Sequence, residues 1–146
     1  MDRALVVVEP TERGRELIKL AGEIVEGTGA ELVLVRIVDE DAYEGDVQRK
    51  AESSLSDVSS VDELTEEATA VARELGEELL PEDMTYSAEA LFGNLPNDLL
   101  EHAEEGGYDH VFITGERRSP TGKVLFGDTT QAVLLNFDGP VTSLIG

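Results

Sequence analysis

The sequence has no cysteine, few aromatic residues and few basic ones. Without cysteine, the 146 residues can form no disulfide, thiolate nucleophile or cysteine-ligated metal centre. Lys and Arg total 11 against 32 Asp and Glu, so the formal net charge is −21. This charge disfavours binding to nucleic acid or to an anionic membrane. The first nine residues contain a run of only five apolar residues, too short for a signal peptide or a membrane span, so we expect a cytoplasmic location.

The acidic residues are spread along the whole chain and are not gathered in a tail. Such a solvated acidic surface is typical of proteins from salt-rich cytoplasm, and we expect a halophilic source. An acidic protein from an ordinary cytoplasm is the alternative. The hydrophobic content of 40%, in short separate runs, predicts a folded protein, and the length predicts one domain over 1–146.

Short apolar runs alternate with helical patterns along the chain. Strands are predicted at 4–8, 32–38, 85–92, 109–114 and 141–145. Helices are predicted at 11–27, 61–80, 95–105 and from Asp128 onward. Between them, 40–61 is acidic and serine-rich without an apolar period, which predicts a mobile loop. This order predicts an α/β fold, a five-stranded doubly wound parallel sheet of Rossmann-like type with helices on both faces.

In such sheets ligands bind beyond the carboxyl ends of the strands. The stretch 115–127, which follows the fourth predicted strand, contains three cations within seven residues of an otherwise acidic chain: Arg117, Arg118 and Lys123. Glycines allow backbone amides close to an anion, and guanidinium groups can bind phosphate with two hydrogen bonds. Asp128 with Gln131 resembles a capping box that would begin a helix pointing its amides at the same place. The stretch therefore predicts an anion site, with pairing of these cations to surface acids as the alternative.

These features resemble the universal stress proteins, whose fold is of the adenine nucleotide alpha hydrolase type. The resemblance covers essentially the whole chain: the strand order, the acidic residue Glu9 after the first strand, the turn 93–96 and the glycine loop. Many members bind adenine nucleotides at a motif G-x2-G-x9-G-(S/T). Here Gly115 and Gly127 match the first and a later glycine, whereas Arg118 occupies the second glycine position, with eight residues between it and Gly127.

The resemblance also assigns roles to residues outside the loop. Glu9 matches the family's base-contacting aspartate, and the backbone of Ile37 or Val38 would contact the base, although Glu9 can equally be a solvated acid. Gly93 would face the ribose and phosphates or simply serve a turn. Asp128 replaces the usual Ser or Thr, and Thr129 or Thr130 could supply the missing hydroxyl. The full predicted nucleotide-binding set is Glu9, Ile37, Val38, Gly93, Thr114, Gly115, Arg117, Arg118, Ser119, Gly122, Lys123, Gly127, Asp128 and Thr129.

The resemblance implies a non-enzymatic, nucleotide-binding stress protein that takes ATP or AMP, with Mg²⁺ offsetting Asp128 and no covalent cofactor. It also implies a homodimer paired through the last strand, 141–145. Two alternatives stay open: a scaffold that has lost nucleotide and binds proteins or small anions, and an enzyme related to ATP pyrophosphatases. We expect at most very slow ATP hydrolysis because the sequence shows no convincing base or nucleophile.

The sequence does not match other known catalytic or metal-binding motifs. Lys123 is followed by Val124, so the end of a P-loop is missing, and Ser119 lacks the nucleophile elbow. His102 and His110 have no partner spacing for a metal or a triad, so we expect both to be structural.

Overall fold

The first strand of the chain lies at the centre of a five-stranded parallel sheet. The computed structural model describes residues 1–40, 60–115 and 127–145. The strands are β1 (Arg3–Val8), β2 (Glu31–Asp39), β3 (Tyr86–Gly93), β4 (His110–Thr114) and β5 (Val141–Leu144). Their spatial order is β3-β2-β1-β4-β5, and all paired neighbours run parallel. The predicted α/β fold with a doubly wound sheet is therefore confirmed.

Among the described residues, two helices cover each face of the sheet. The helices are α1 (Glu12–Val25), α2 (Val61–Leu79), α3 (Asn97–Glu105) and α4 (Asp128–Asn136). Ala4, Val6 and Val8 of β1 pack in one core with α1 and α2. Leu5 and Val7 pack in a second core with α3 and α4. Because both faces of β1 are buried, the strand is apolar at consecutive positions, as its sequence predicted.

Side-chain hydrogen bonds cap α1 and α2, whereas α3 and α4 have no side-chain cap. The Thr11 hydroxyl accepts from the Gly14 amide at 3.0 Å and caps α1. Ser60 caps α2 through the Glu63 amide at 3.1 Å. At α4 the predicted capping box is wrong, because Gly127 is the N-cap and no side chain caps the helix. Asp128 instead occupies the first helical position, where its charge favours the positive end of the helix dipole.

Some of the predicted features lie outside the described residues. Of the predicted mobile loop 40–61, residues 41–59 are not described. Of the glycine loop 115–127, only its two end glycines are described. The element bounds otherwise agree with the sequence patterns within about two residues, and α3 begins at Asn97, after the turn 93–96.

The sheet grows in both directions from β1. The chain adds β2 and β3 on one side of β1, and later β4 and β5 on the other. The carboxyl ends of β1 and β4 are therefore the topological switch point, where open α/β sheets bind ligands. The first turn of α1 lies directly against this edge, since a Cβ at Gly14 would be 2.0 Å from the Glu9 carbonyl oxygen. Only glycine allows that approach.

The described helices include none that is long and apolar enough to cross a membrane.

His110 joins the last two strands of the sheet. The residue is 8% exposed, and its ring stacks on Phe112 with the ring centres 4.3 Å apart. Its Nε2 lies 2.7 Å from the Thr142 hydroxyl of β5. Burial lowers the pKa of His110 below its ordinary value of 6.5. These contacts agree with a structural role for this histidine.

We expect His110 to make stability fall in mildly acid solution. Its pKa is lower in the folded than in the unfolded chain, so the unfolded chain binds more protons as pH falls through 6.5. The free energy of unfolding should then decrease between pH 7 and 5.5, by at most about 1.4 kcal/mol per pH unit. Denaturant unfolding at several pH values measures this slope.

His110→Gln should flatten that slope, since its amide can still pair with Thr142 but does not titrate. His102→Gln is the matched control among the two histidines of the chain, because it retains His110 and the slope that His110 causes. An unchanged slope in His110→Gln would contradict this account.

Candidate functional site

A cavity of about 390 Å³ opens at the carboxyl ends of β1 and β4. Its size is within the range of small-molecule sites. The ends of three strands and the first turns of α1 and α4 form its walls. The lining residues are Val7, Val8, Glu9, Arg13, Arg36, Ile37, Leu95, Ile113, Thr114, Gly115, Gly127, Asp128, Thr129 and Thr130.

The cavity brings together half of the residues predicted from the sequence. These seven of the 14 residues are Glu9, Ile37, Thr114, Gly115, Gly127, Asp128 and Thr129. Val38 and Gly93 are described but do not line the cavity. The other five, Arg117, Arg118, Ser119, Gly122 and Lys123, lie outside the described residues.

A chain of hydrogen bonds joins α4, β4 and β1 at the cavity. The buried Thr130 hydroxyl donates to the Thr114 carbonyl at 2.9 Å. The Thr114 hydroxyl donates in turn to Oε2 of Glu9 at 3.1 Å. A carboxylate has about four acceptor positions, so Glu9 can accept further hydrogen bonds from a ligand. The half-buried Glu9 is thus hydrogen-bonded to β4 at the switch point.

Gly115 has a different local role from the one its motif position implies. Its amide donates to the Leu144 carbonyl at 2.9 Å and so extends the pairing of β4 with β5. A Cβ at this position would lie 2.7 Å from Cγ1 of Ile145. Gly115 is therefore needed for close packing with the last strand, and its amide is not available to an anion.

Gly93 is the last residue of β3 and directly precedes the turn that leads into α3. A Cβ there would be 2.5 Å from Oδ2 of Asp98, and the same oxygen accepts from the Asn94 amide at 2.6 Å. This geometry agrees with the turn-glycine alternative, and a ligand contact by Gly93 stays a prediction.

Two arginines of the cavity wall were not singled out from the sequence. Arg13 NH1 donates to the Gly115 carbonyl, and Arg36 NH1 donates to the Val8 carbonyl, each at 3.2 Å. Both side chains are half-buried. Arg36 could have been noticed, because it is a lone cation inside the apolar run 32–38. Arg13 gave no such signal, since it follows Glu12 in a polar helix start.

These arginines balance the charge of the described walls. The lining includes two carboxylates, Glu9 and Asp128, and two guanidinium groups, Arg13 and Arg36. The whole chain carries a net charge of −21, so these charge-balanced walls repel an anion less than the rest of the surface does on average. The described residues contain no cluster of three or more His, Asp or Glu that could hold a metal.

Comparison with known proteins identifies the family. A search of curated proteins with this sequence gave no match. Solved structures share the fold, among them a universal stress protein of Lactobacillus plantarum, 15% identical, with a TM-score of 0.71 over 98% of this chain and 97% of that one. A universal stress protein of Archaeoglobus fulgidus in complex with dAMP is 16% identical, with a TM-score of 0.63 over 98% and 96%. Another universal stress protein, in complex with cAMP, is 13% identical, with a TM-score of 0.62 over 99% and 96%.

The model of the universal stress protein family matches residues 1–143, nearly the full length. The chain therefore belongs to the universal stress protein family.

Proposed function

We propose that the protein binds an adenine nucleotide, of the ATP or AMP type, in the cavity at the ends of β1 and β4. Its role would be a mainly non-enzymatic one in the stress response or its regulation, in the cytoplasm. The main support is the cavity itself, which lies at the switch point of the sheet and is lined by seven of the predicted residues. Relatives of the same fold are complexes with cAMP and with dAMP.

In this proposal Glu9 accepts a hydrogen bond from a ribose hydroxyl or from the exocyclic amine of the base. Its position, fixed by the Thr114 hydroxyl, favours such a directional contact. The backbone of Ile37 or Val38 would contact the base. The phosphates would lie toward Gly127, Thr129 and the uncapped start of α4, whose amides favour an anion.

Asp128 opposes phosphate binding unless a cation intervenes. It is exposed at the first position of α4 and lines the cavity. Mg²⁺ is usually held by phosphate oxygens, water and one or two carboxylates, so a single aspartate fits the way this ion binds. We therefore propose that a bound polyphosphate carries Mg²⁺ and that Asp128 faces the ion.

A scaffold that has lost nucleotide binding is the second candidate function. Arg118 stands at the second glycine position of the motif, and Asp128 stands at its hydroxyl position. Both changes disfavour the family's phosphate contacts. In this case the protein would bind proteins or small anions and would not bind ATP.

Calorimetry with AMP, and with ATP plus Mg²⁺, in molar salt tests the proposal. High salt is chosen because about 1 M salt reduces the screening length to about 3 Å, so the net charge of −21 then hardly repels the ligand. Wild type should bind with measurable heat. The double variant Arg117→Ala, Arg118→Ala should lose the binding heat that comes from phosphate contacts, as we predict from the sequence.

Arg15→Ala with Arg73→Ala is the matched control, since it removes two cations from α1 and α2 away from the cavity. It should bind like wild type. No heat with either nucleotide would contradict nucleotide binding and favour the scaffold. Normal binding by the Arg117, Arg118 variant would contradict the phosphate assignment alone.

We expect ATP turnover to be at most very slow. The described lining residues include no histidine, and their carboxylates are Glu9, which is hydrogen-bonded to Thr114, and the exposed Asp128. Overnight incubation with ATP and Mg²⁺, followed by separation of the products, measures turnover. Hydrolysis far above a protein-free control, and lost in Glu9→Gln, would show an enzyme instead.

We also propose that two copies pair through the last strand, 141–145. β5 pairs with β4 on one side and is the edge of the described sheet, and exposed strand edges favour pairing with another chain. The Pro140 carbonyl accepts from the Val111 amide of β4, and the Leu144 carbonyl accepts from the amide of Gly115, the residue after β4. Because backbone groups alternate in direction along a strand, those of Ser143 point away from β4, toward a partner.

Light scattering should then give twice the chain mass of 15.8 kDa. Ser143→Pro removes the outward amide without removing a β4–β5 hydrogen bond, and it should give the monomer. Ser143→Ala keeps the amide and should stay dimeric. A monomeric wild type, or a dimeric Ser143→Pro variant, would contradict pairing through this edge.

A further inference from the structure

We propose that Arg13 contacts the phosphate group of the ligand and is the residue through which the described cavity wall favours a charged nucleotide over a neutral nucleoside. This inference rests on the proposed function, and it adds a residue of α1 to a site that the sequence places on the glycine loop. Four observations support it: the position of Arg13, the hydrogen bond that the Gly115 amide already makes, the contacts that α1 and α4 make with the end of β4, and the charges of the lining residues.

The start of α1 brings Arg13 to the cavity. Thr11 caps the helix, and Gly14 lies so close to the Glu9 carbonyl that a Cβ would be 2.0 Å from that oxygen. Arg13 is the residue between them in this first turn. Its half-buried side chain lines the cavity, and its NH1 lies 3.2 Å from the Gly115 carbonyl oxygen.

The Gly115 amide is not available to donate a hydrogen bond to an anion in the cavity. It donates to the Leu144 carbonyl at 2.9 Å, as a continuation of the sheet. The donor that lies at Gly115 on the cavity side is therefore the guanidinium of Arg13 and not the backbone. NH1 of this guanidinium makes the contact with the Gly115 carbonyl, so the positive charge of Arg13 lies at this edge of the cavity.

Side chains from opposite faces of the sheet hold the end of β4. Thr130 of α4 donates to the Thr114 carbonyl, and Arg13 of α1 donates to the next carbonyl, that of Gly115. Since α1 and α4 cover opposite faces, a group bound at the end of β4 has the start of α4 on one side and the guanidinium on the other. Amide donors and a fixed cation on two sides suit a phosphate.

Among the described lining residues, Arg13 is the cation that contacts the carbonyl of Gly115 at the end of β4. The carboxylates of Glu9 and Asp128 lie at the ends of β1 and at the start of α4, whereas Arg36 lies at the end of β2, bonded to the Val8 carbonyl. Without Arg13, the described wall around the β4 end would carry only negative side chains. Those carboxylates would repel a phosphate but not an uncharged nucleoside.

The test compares AMP with adenosine, each as a competitor of a fluorescent adenine nucleotide, for wild type and three variants. Arg13→Ala removes the cation and its hydrogen bond. Arg13→Gln removes the charge but keeps an amide donor for the Gly115 carbonyl. Arg15→Ala is the matched control, a cation two residues along α1 that pairs with Glu78 instead of lining the cavity.

Loss of a charge-assisted contact should weaken AMP binding about tenfold or more in both Arg13 variants. Adenosine binding should change less than about twofold in both, and Arg15→Ala should bind both ligands like wild type. If Arg13→Gln binds AMP like wild type, Arg13 only supports Gly115 and the inference is wrong. Equal losses for AMP and adenosine would overturn it as well.

Failure of this inference can be told apart from failure of the proposed function. If wild type binds neither AMP nor adenosine, nucleotide binding at this cavity is wrong, and the role of Arg13 is lost with it. If wild type binds AMP and the Arg13 variants match Arg15→Ala, nucleotide binding stands and only the role of Arg13 is wrong.

Discussion

The burial of β1 on both faces determines where the candidate site lies. Five consecutive residues of this strand are buried, with alternate side chains in the two separate cores. Such a strand is stable only at the centre of a covered sheet. The chain must then place later strands on both sides of it, which creates the crevice at the ends of β1 and β4. The cavity is thus a consequence of the core, before any functional side chain is considered.

The polar contacts at this crevice connect the two cores. Thr130, Thr114 and Glu9 form one hydrogen-bonded chain from α4 to β1, while Arg13 extends from α1 to the carbonyl of Gly115. Side chains from helices on opposite faces of the sheet therefore contact neighbouring carbonyls at the end of β4. Buried hydroxyls and half-buried charges require such partners, so the same contacts that satisfy these groups also fix the shape of the cavity.

The fold could be predicted from the sequence because it depends on periodicity. Continuous apolar runs predicted buried parallel strands, and all five strands agree within about two residues. The site was harder to predict. The residues that follow β1 and β4, such as Glu9 and Thr114, could be named because strand ends are visible in sequence. Arg13 could not, because its position depends on how closely α1 approaches β1 at Gly14, which is a tertiary contact. The capping box failed for a related reason: the spacing of Asp128 and Gln131 suits a cap, but the helix begins one residue too early for Asp128 to serve as one.

The strong negative charge of the chain makes local geometry decisive for any anionic ligand. A net charge of −21 opposes anion binding at long range, and salt can screen this repulsion but cannot create attraction. Affinity must then come from short contacts, namely amide ends of helices and fixed guanidinium groups. In an ordinary glycine loop the first glycine could supply an amide to the anion. In this chain that amide is hydrogen-bonded to the carbonyl of Leu144 in β5. We propose that an arginine from the facing helix, bonded to the carbonyl of the same glycine, restores a donor there and adds positive charge at the end of β4.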